Sequence, residues 1–226
     1  TTSIIQILEF VKSEVPMKSY YIHLIRHGAI SQTLNGRYIG TTDVPLSDEG
    51  RAAVRKLSGT IDYPYAKVVF TSPLKRCTQT AKIIYPNLEA IAVDQLMECN
   101  FGEWENKSAD DLRGDEGFSK WLAGDNDIKP PRGESAADFT RRICVMFESI
   151  VNGLIKTGTT DAAIVTHGGV MNILLAVYGL PQAKPFDWAC DCGYGYSMRI
   201  TPMLWMRDKV AEVYDRIPKE REEDEE

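Results

Sequence analysis

The 226 residues contain only three histidines and no continuous apolar run of about 18 residues, so no helical membrane span is expected. The first stretch has neither a positively charged start nor a small-residue cleavage site, so no secretory signal is expected. There is no surplus of positive charge. Lys and Arg total 26 against 32 Asp and Glu, a net charge of −6, which argues against nucleic acid as the main partner. The five cysteines are odd in number and scattered, the usage of a reducing compartment rather than a disulfide framework, so a cytoplasmic location is expected. Cys190-Asp191-Cys192 has no further cysteine or spare histidine nearby, so it reads as unligated thiols in a loop, and no metal is expected. No internal repeat occurs, and no linker separates two domains.

What remains is ordinary for a folded globule: 43% apolar and 26% charged residues, in a length that suits one domain with decoration. Ile4, Ile5, Leu8, Val11 and Val15 follow helical spacing up to Pro16, so residues 1–18 are expected to form an amphipathic helical extension. That helix would cover the body of the protein or a partner subunit, and it is the candidate oligomer contact. Residues 218–226 end in Glu222-Glu223-Asp224-Glu225-Glu226 and read as an acidic, disordered tail. Between the two, residues 19–217 alternate strand-like and helical segments. Strands are expected over 20–25, 67–70, 90–93, 161–165, 195–200 and 209–214. Helices are expected from Ser47 to Leu57, after Ser72-Pro73 to Tyr85, over 108–112 and 116–122, over 135–156, and over 169–178. After Asp161 the strand over 161–165 is continuously apolar, as a strand buried on both faces should be. The alternation predicts a three-layer α/β/α sandwich around a mostly parallel sheet.

Two of the three histidines share one context: an apolar strand that runs into His-Gly. They are His27, in Leu24-Ile25-Arg26-His27-Gly28, and His167, in Val165-Thr166-His167-Gly168-Gly169. A third strand runs into Thr71-Ser72-Pro73-Leu74-Lys75-Arg76. In an open parallel sheet the ligand crevice lies at the carboxyl ends of the strands. If these three strands are parallel neighbours, Arg26, His27, Arg76 and His167 converge there. Phosphoryl transfer needs such a set: an in-line nucleophile and positive donors around the equatorial oxygens. A neutral His27 could attack phosphorus, Arg26 and Arg76 could hold the oxygens, and a protonated His167 would add charge. Gly168 allows close backbone approach, and the helix that follows would aim free amides at an anion. Taken singly, each piece has a plainer explanation: a strand-to-helix turn, or a surface arginine. His23 lies inside its strand and reads as a packed histidine.

These residues resemble the histidine phosphatase superfamily, also called phosphoglycerate mutase-like. The likeness runs from about residue 20 to 200, in the family's order, through the three segments above. It also takes in Arg37 to Gly40, Pro45-Leu46-Ser47 with Gly50, Glu98 with Phe101-Gly102-Glu103-Trp104-Glu105, and Gly133-Glu134-Ser135. The resemblance implies a phosphohistidine on His27, a phosphate pocket of Arg26, Arg76 and His167, and Glu98 as proton donor to the leaving group. No cofactor is expected. Glu103 and Glu105 are the competing acids. Two positions depart from the family: Ala29 replaces a frequent glutamate, and Thr33 stands where the family has an asparagine, with Asn35 nearby but out of register. Thr33 could still donate a hydroxyl hydrogen bond to phosphate. The segment after Glu98 is acidic rather than basic, with Asp110, Asp111, Asp115 and Glu116 against Lys107 and Arg113. That resembles the phosphatase branch, which includes α-ribazole phosphatases, more than the mutases. The expected substrate is a small phosphomonoester, with α-ribazole 5′-phosphate leading. A cofactor-dependent phosphoglycerate mutase and a non-catalytic binder of phosphate esters or partners are the alternatives. Segments 108–133 and 187–196 are expected to form the pocket rim.

Overall fold

The computed structural model describes residues 18–125 and 128–220. The expected N-terminal helix, up to residue 17, and the acidic run 221–226 lie outside them. The elements are β1 (Tyr20–Arg26), α1 (Asp48–Thr60), β2 (Ile61–Asp62), β3 (Val68–Thr71), α2 (Lys75–Ile84) and β4 (Ile91–Ala92), followed by α3 (Glu116–Leu122), α4 (Ala136–Thr157), β5 (Asp161–Thr166), α5 (Gly168–Tyr178), β6 (Gly179–Leu180), β7 (Gly195–Ile200), α6 (Pro202–Asp208), β8 (Ala211–Ile217) and β9 (Lys219–Glu220). Seven strands form one sheet in the order β4-β3-β5-β1-β7-β8-β6. Within it β7 alone runs against its neighbours; β4, β3, β5 and β1 pair in parallel, as do β8 and β6.

The strand sequences divide the core in two. Side chains alternate across a strand. Ile22 and Leu24 of β1, with Ala162 and Ile164 of β5, join α4, α5 and α6 on one face. Ile25, Ala163, Val165 and Val69 join Val54 of α1 and Cys77 and Ala81 of α2 on the other. The result is the three-layer α/β/α sandwich with a mostly parallel sheet. Residues 162–165 are inaccessible to solvent, which accounts for their unbroken apolar run. On α4, Phe139, Ile143, Phe147, Ile150 and Leu154 form the buried stripe, each contributing roughly 1.5–3 kcal/mol by leaving water. Ser135 caps α4 by accepting from Asp138 N at 3.1 Å, and Gly158 closes it at φ 72°.

Three local readings differ from expectation. Ser72-Pro73 does not cap α2, which starts two residues later with Leu74 as its cap; the Ser72 hydroxyl accepts from Leu74 N at 3.4 Å and has a second partner, described below. Residues 109–112 form turns rather than a helix, and Ser108 bridges to Arg37; Leu112 is the buried side chain of the segment. Pro218 to Glu220, placed in the acidic tail from sequence, continue into β9, which pairs with β2. One helix had no expectation at all: α6 forms behind Pro202 and ends at Lys209 (φ 53°), burying Trp205 against Phe147 and Tyr178.

Candidate active site

Register brings the site together. Arg26 of β1 pairs with Thr166 of β5, and Val165 pairs with Thr71 of β3. The next residues of β1 and β5, His27 and His167, therefore emerge at one level at the carboxyl ends of the strands, and Ser72, after β3, lies one residue short of that level. The His27 and His167 rings meet edge to face with centroids 5.2 Å apart. A cavity of about 420 Å³ opens there, and Arg26, His27, Arg76, Glu98, Gly168 and Gly169 form its inner wall.

His27 is 9% exposed, and its Nδ1 lies 2.7 Å from the carbonyl oxygen of Gly28. A carbonyl only accepts, so Nδ1 carries the proton and Nε2 keeps its lone pair. Burial, and then the Arg76 charge, push the imidazole pKa down to about 3, so the ring is neutral at ordinary pH. Gly28 is confined: a Cβ there would lie 2.6 Å from Val54 Cγ2.

Arg76, in the first turn of α2, is 1% exposed, and each of its three nitrogens has a partner, which leaves a second N–H on each terminal nitrogen. Its Nη1 donates to Thr42 O at 2.9 Å, its Nη2 to Gly40 O at 2.6 Å, and its Nε to His167 Nδ1 at 3.2 Å. That last bond fixes the His167 tautomer. Nδ1 accepts, so the proton sits on Nε2 and is donated to Ser72 Oγ, 2.8 Å away. Burial holds the His167 pKa well below the usual range. Here the site departs from expectation: His167 is neutral, both ring nitrogens have partners, and its ring is not part of the cavity wall. The Ser72 hydroxyl that sequence assigned to a helix cap is its partner.

Arg26 donates from Nη1 to Cys190 O at 2.6 Å, while its buried Nε has no partner among the described residues. An orphaned buried donor costs roughly 1–3 kcal/mol, and this one belongs to a residue of the cavity wall. A Cβ on Gly168 would stand 3.4 Å from that Nε, so the guanidinium lies against the start of α5.

Glu98 faces the same helix start. Its Oε2 accepts from Gly169 N at 3.0 Å and its Oε1 from Cys99 N at 3.0 Å. A Cβ on Gly169 would fall 2.4 Å from Oε1, so the contact requires glycine. Burial raises the carboxyl pKa, and this outweighs the opposing pull of the two amides and the arginines. Phe101 and Trp104, close to Glu98 in sequence, pack with Tyr38, Phe118 and Trp121 in an aromatic cluster. Arg142 of α4 holds the Glu98 segment. It donates to the carbonyls of Gln95 (2.8 Å), Met97 (3.0 Å) and Glu98 (3.3 Å) while paired with Glu134 at 2.6 Å. Neither competing acid reaches the cavity wall: Glu103 pairs with Arg132 at 3.1 Å, and Glu105 is bonded to backbone amides. Arg142 is not legible as a site residue in the sequence. Its i, i+8 spacing to Glu134 across a helix start carries no local signal.

Thr33 is exposed, its hydroxyl 2.9 Å from Ser31 Oγ, and it is not among the lining residues; Asn35 is. The outer wall is formed by Ile30, Leu34, Asn35, Arg37, Ile39, Asn172, Ala189 and Cys192. Segment 187–196 thus contributes to the rim as expected, and segment 108–133 does not. It meets the wall at Arg37, through the backbone bridge of Ser108 and the Asp111 ion pair at 3.1 Å. Among the described residues, no three His, Cys, Asp or Glu are grouped to hold a metal ion, and no helix is long and apolar enough to cross a membrane.

The arrangement suits attack on an anionic centre: an uncharged imidazole nitrogen, an unused guanidinium donor, a buried arginine and a carboxyl inclined to keep its proton. Comparison with known proteins agrees. The chain is 27% identical to phosphoserine phosphatase 1 of Hydrogenobacter thermophilus, over 74% of this chain and 81% of the relative. It is 27% identical to the adenosylcobalamin/α-ribazole phosphatase of Salmonella typhimurium, over 75% and 85%. It is 33% identical to 2,3-bisphosphoglycerate-dependent phosphoglycerate mutase 2 of Gloeobacter violaceus, over 67% and 72%. The family model of the histidine phosphatase superfamily (branch 1) matches residues 22–206. By that match, which takes in the strand-end histidines and the Glu98 segment, the chain belongs to the histidine phosphatase superfamily.

Proposed function

We propose that the protein is a phosphomonoesterase that works through a phosphohistidine on His27. The observation that carries this is the tautomer of His27: Nδ1–H is tied to Gly28 O, and Nε2 is left neutral and nucleophilic in the wall of the cavity. Nε2 attacks phosphorus while Glu98 gives its proton to the departing alkoxide oxygen. Arg26 and Arg76 hold the phosphoryl oxygens. Water, deprotonated by the same carboxylate, then cleaves the P–N bond and releases phosphate. His167 acts by fixing the Arg76 Nε direction. Thr33 would need to turn inward to touch phosphate, and Asn35 is the better-placed polar group.

The substrate is proposed to be a small monophosphate with an uncharged alcohol portion, with α-ribazole 5′-phosphate first. The outer wall has Ile30, Leu34 and Ile39 for an apolar group and the Asn35 and Asn172 amides for polar ones. The Salmonella relative's name supports the same choice. The mutase reading has its own support in the 33% identical relative. It is disfavoured by charge. A bisphosphate needs a second cationic pocket, and the basic residue of the outer wall, Arg37, is already bonded to Asp111 and, at 2.5 Å, to Asn106 O.

A panel separates these readings. α-Ribazole 5′-phosphate, phosphoserine, sugar phosphates and p-nitrophenyl phosphate should release inorganic phosphate at differing rates, and 3-phosphoglycerate with its bisphosphate cofactor should give little isomerisation. Rapid isomerisation with slow hydrolysis would make the protein a mutase, and silence toward p-nitrophenyl phosphate would favour a binding role. Activity should also persist in excess EDTA, because two arginines supply the charge a metal would otherwise bring. A large loss restored by magnesium or zinc would overturn this mechanism.

A further inference from the structure

The Glu105 carboxylate is bonded almost entirely to backbone. It accepts from Gly40 N (3.1 Å), Thr41 N (2.9 Å), Thr42 N (3.3 Å) and Phe101 N (3.2 Å), and from the Thr42 hydroxyl at 2.5 Å. The carbonyls of Gly40 and Thr42, on the opposite side of the same short loop, are the acceptors of the two terminal nitrogens of Arg76. The loop is thus a spacer one peptide thick, with a carboxylate on one side and a guanidinium on the other. It has no slack: a Cβ on Gly40 would lie 1.8 Å from Cys99 O and 2.5 Å from Glu105 Oε1. The bond to Phe101 N ties the segment that carries Glu98 to the same carboxylate.

We propose that Glu105 is a positioning residue for Arg76: it sets the two carbonyls that aim the guanidinium, and through them the geometry of phosphate binding. This rests on the phosphate-binding reading of the cavity. A carboxylate that only stapled a loop would affect stability. One that aims Arg76 affects anion affinity, and does so only while Arg76 is present. Glu105→Gln replaces an acceptor oxygen with an NH₂ that faces amide donors, so the loop must shift. A misplacement of about 1 Å in a positioning element can cost on the order of 100-fold.

The experiment is calorimetric binding of inorganic phosphate to the whole chain as wild type, E105Q, R76A and the double variant, with thermal unfolding as a control for folding. Wild type should bind phosphate. E105Q should bind about 10- to 100-fold more weakly, and the double variant no more weakly than R76A alone. Should E105Q fail to fold, Thr42→Val, which removes one hydroxyl donor and leaves the amides, should weaken binding severalfold and again only when Arg76 is present. Unchanged affinity in a folded E105Q, or equal weakening with and without Arg76, overturns the positioning role while leaving the phosphate site intact. Absence of phosphate binding by wild type removes the site reading itself, and this proposal with it.

Discussion

His27→Ala should abolish turnover of every phosphomonoester the protein accepts, by roughly four orders of magnitude or more, the scale on which loss of a covalent nucleophile acts. Brief mixing of wild type with ³²P-labelled substrate, followed by denaturation, should trap label that is lost in acid and kept in alkali. His27→Ala should trap none. Label on a serine, or an acid-stable linkage, would refute the assignment. The expectation is stronger for His27 than for His167, although sequence presents them alike. Only His27 leaves a ring nitrogen without a donor or acceptor partner; both nitrogens of His167 are spoken for. His167→Asn should therefore lower phosphate affinity through Arg76 and still permit some labelling.

The second large effect belongs to Glu98. With alkyl or sugar phosphates, Glu98→Gln should slow phosphorylation of the enzyme by about a hundredfold or more, the usual size of a general-acid contribution. With p-nitrophenyl phosphate, whose leaving group needs no proton, single-turnover phosphorylation should fall far less. Turnover of that ester can still drop, because dephosphorylation uses the same carboxylate as a base. Equal slowing of phosphorylation for both leaving groups would remove Glu98 as the acid. Since Glu103 and Glu105 are held by Arg132 and by backbone amides, a water would then be the next candidate. The pH dependence follows from the raised pKa of Glu98. The acid form persists above the ordinary carboxyl range, so phosphorylation by alkyl esters should decline as pH rises through that raised value. Glu98→Gln should flatten the decline.

Much of this site is legible in sequence because its position is set by sheet register. An apolar run ending in Arg-His-Gly, another ending in Thr-His-Gly and a third ending in Thr-Ser-Pro state the strand ends directly, and a parallel sheet does the rest. What sequence hides is where each polar group spends its bonds. Ser72-Pro73 matches a helix start, yet the hydroxyl is taken by a histidine 95 residues away. Thr33 and Asn35 differ by two positions, and which one turns inward depends on the path of a loop with no periodic pattern. Glu105 resembles a second acid until its amide partners, more than 60 residues away, are seen. Phe101 and Trp104 sit beside Glu98 in sequence, yet their rings pack against Tyr38, Phe118 and Trp121.

All three histidines of the chain are buried, at 3%, 9% and 0% exposure. His23, bonded to Ser197 Oγ at 2.8 Å, has its pKa lowered to about 4, chiefly by burial, His27 to about 3, and His167 lies well below 6.5. An unfolded chain would protonate all three near the ordinary value, and the folded chain resists. Stability is therefore full above that value and is lost as pH falls toward the folded values. Three protons correspond to a slope of up to roughly 4 kcal/mol per pH unit, which Glu98, binding its proton more tightly when folded, reduces by up to about a third at the lower end. A domain holding about 5–15 kcal/mol in total can lose it within a few pH units. The acid edge of the activity profile is then a folding edge. The nucleophile would still be neutral and competent at a pH where the chain around it has already come apart.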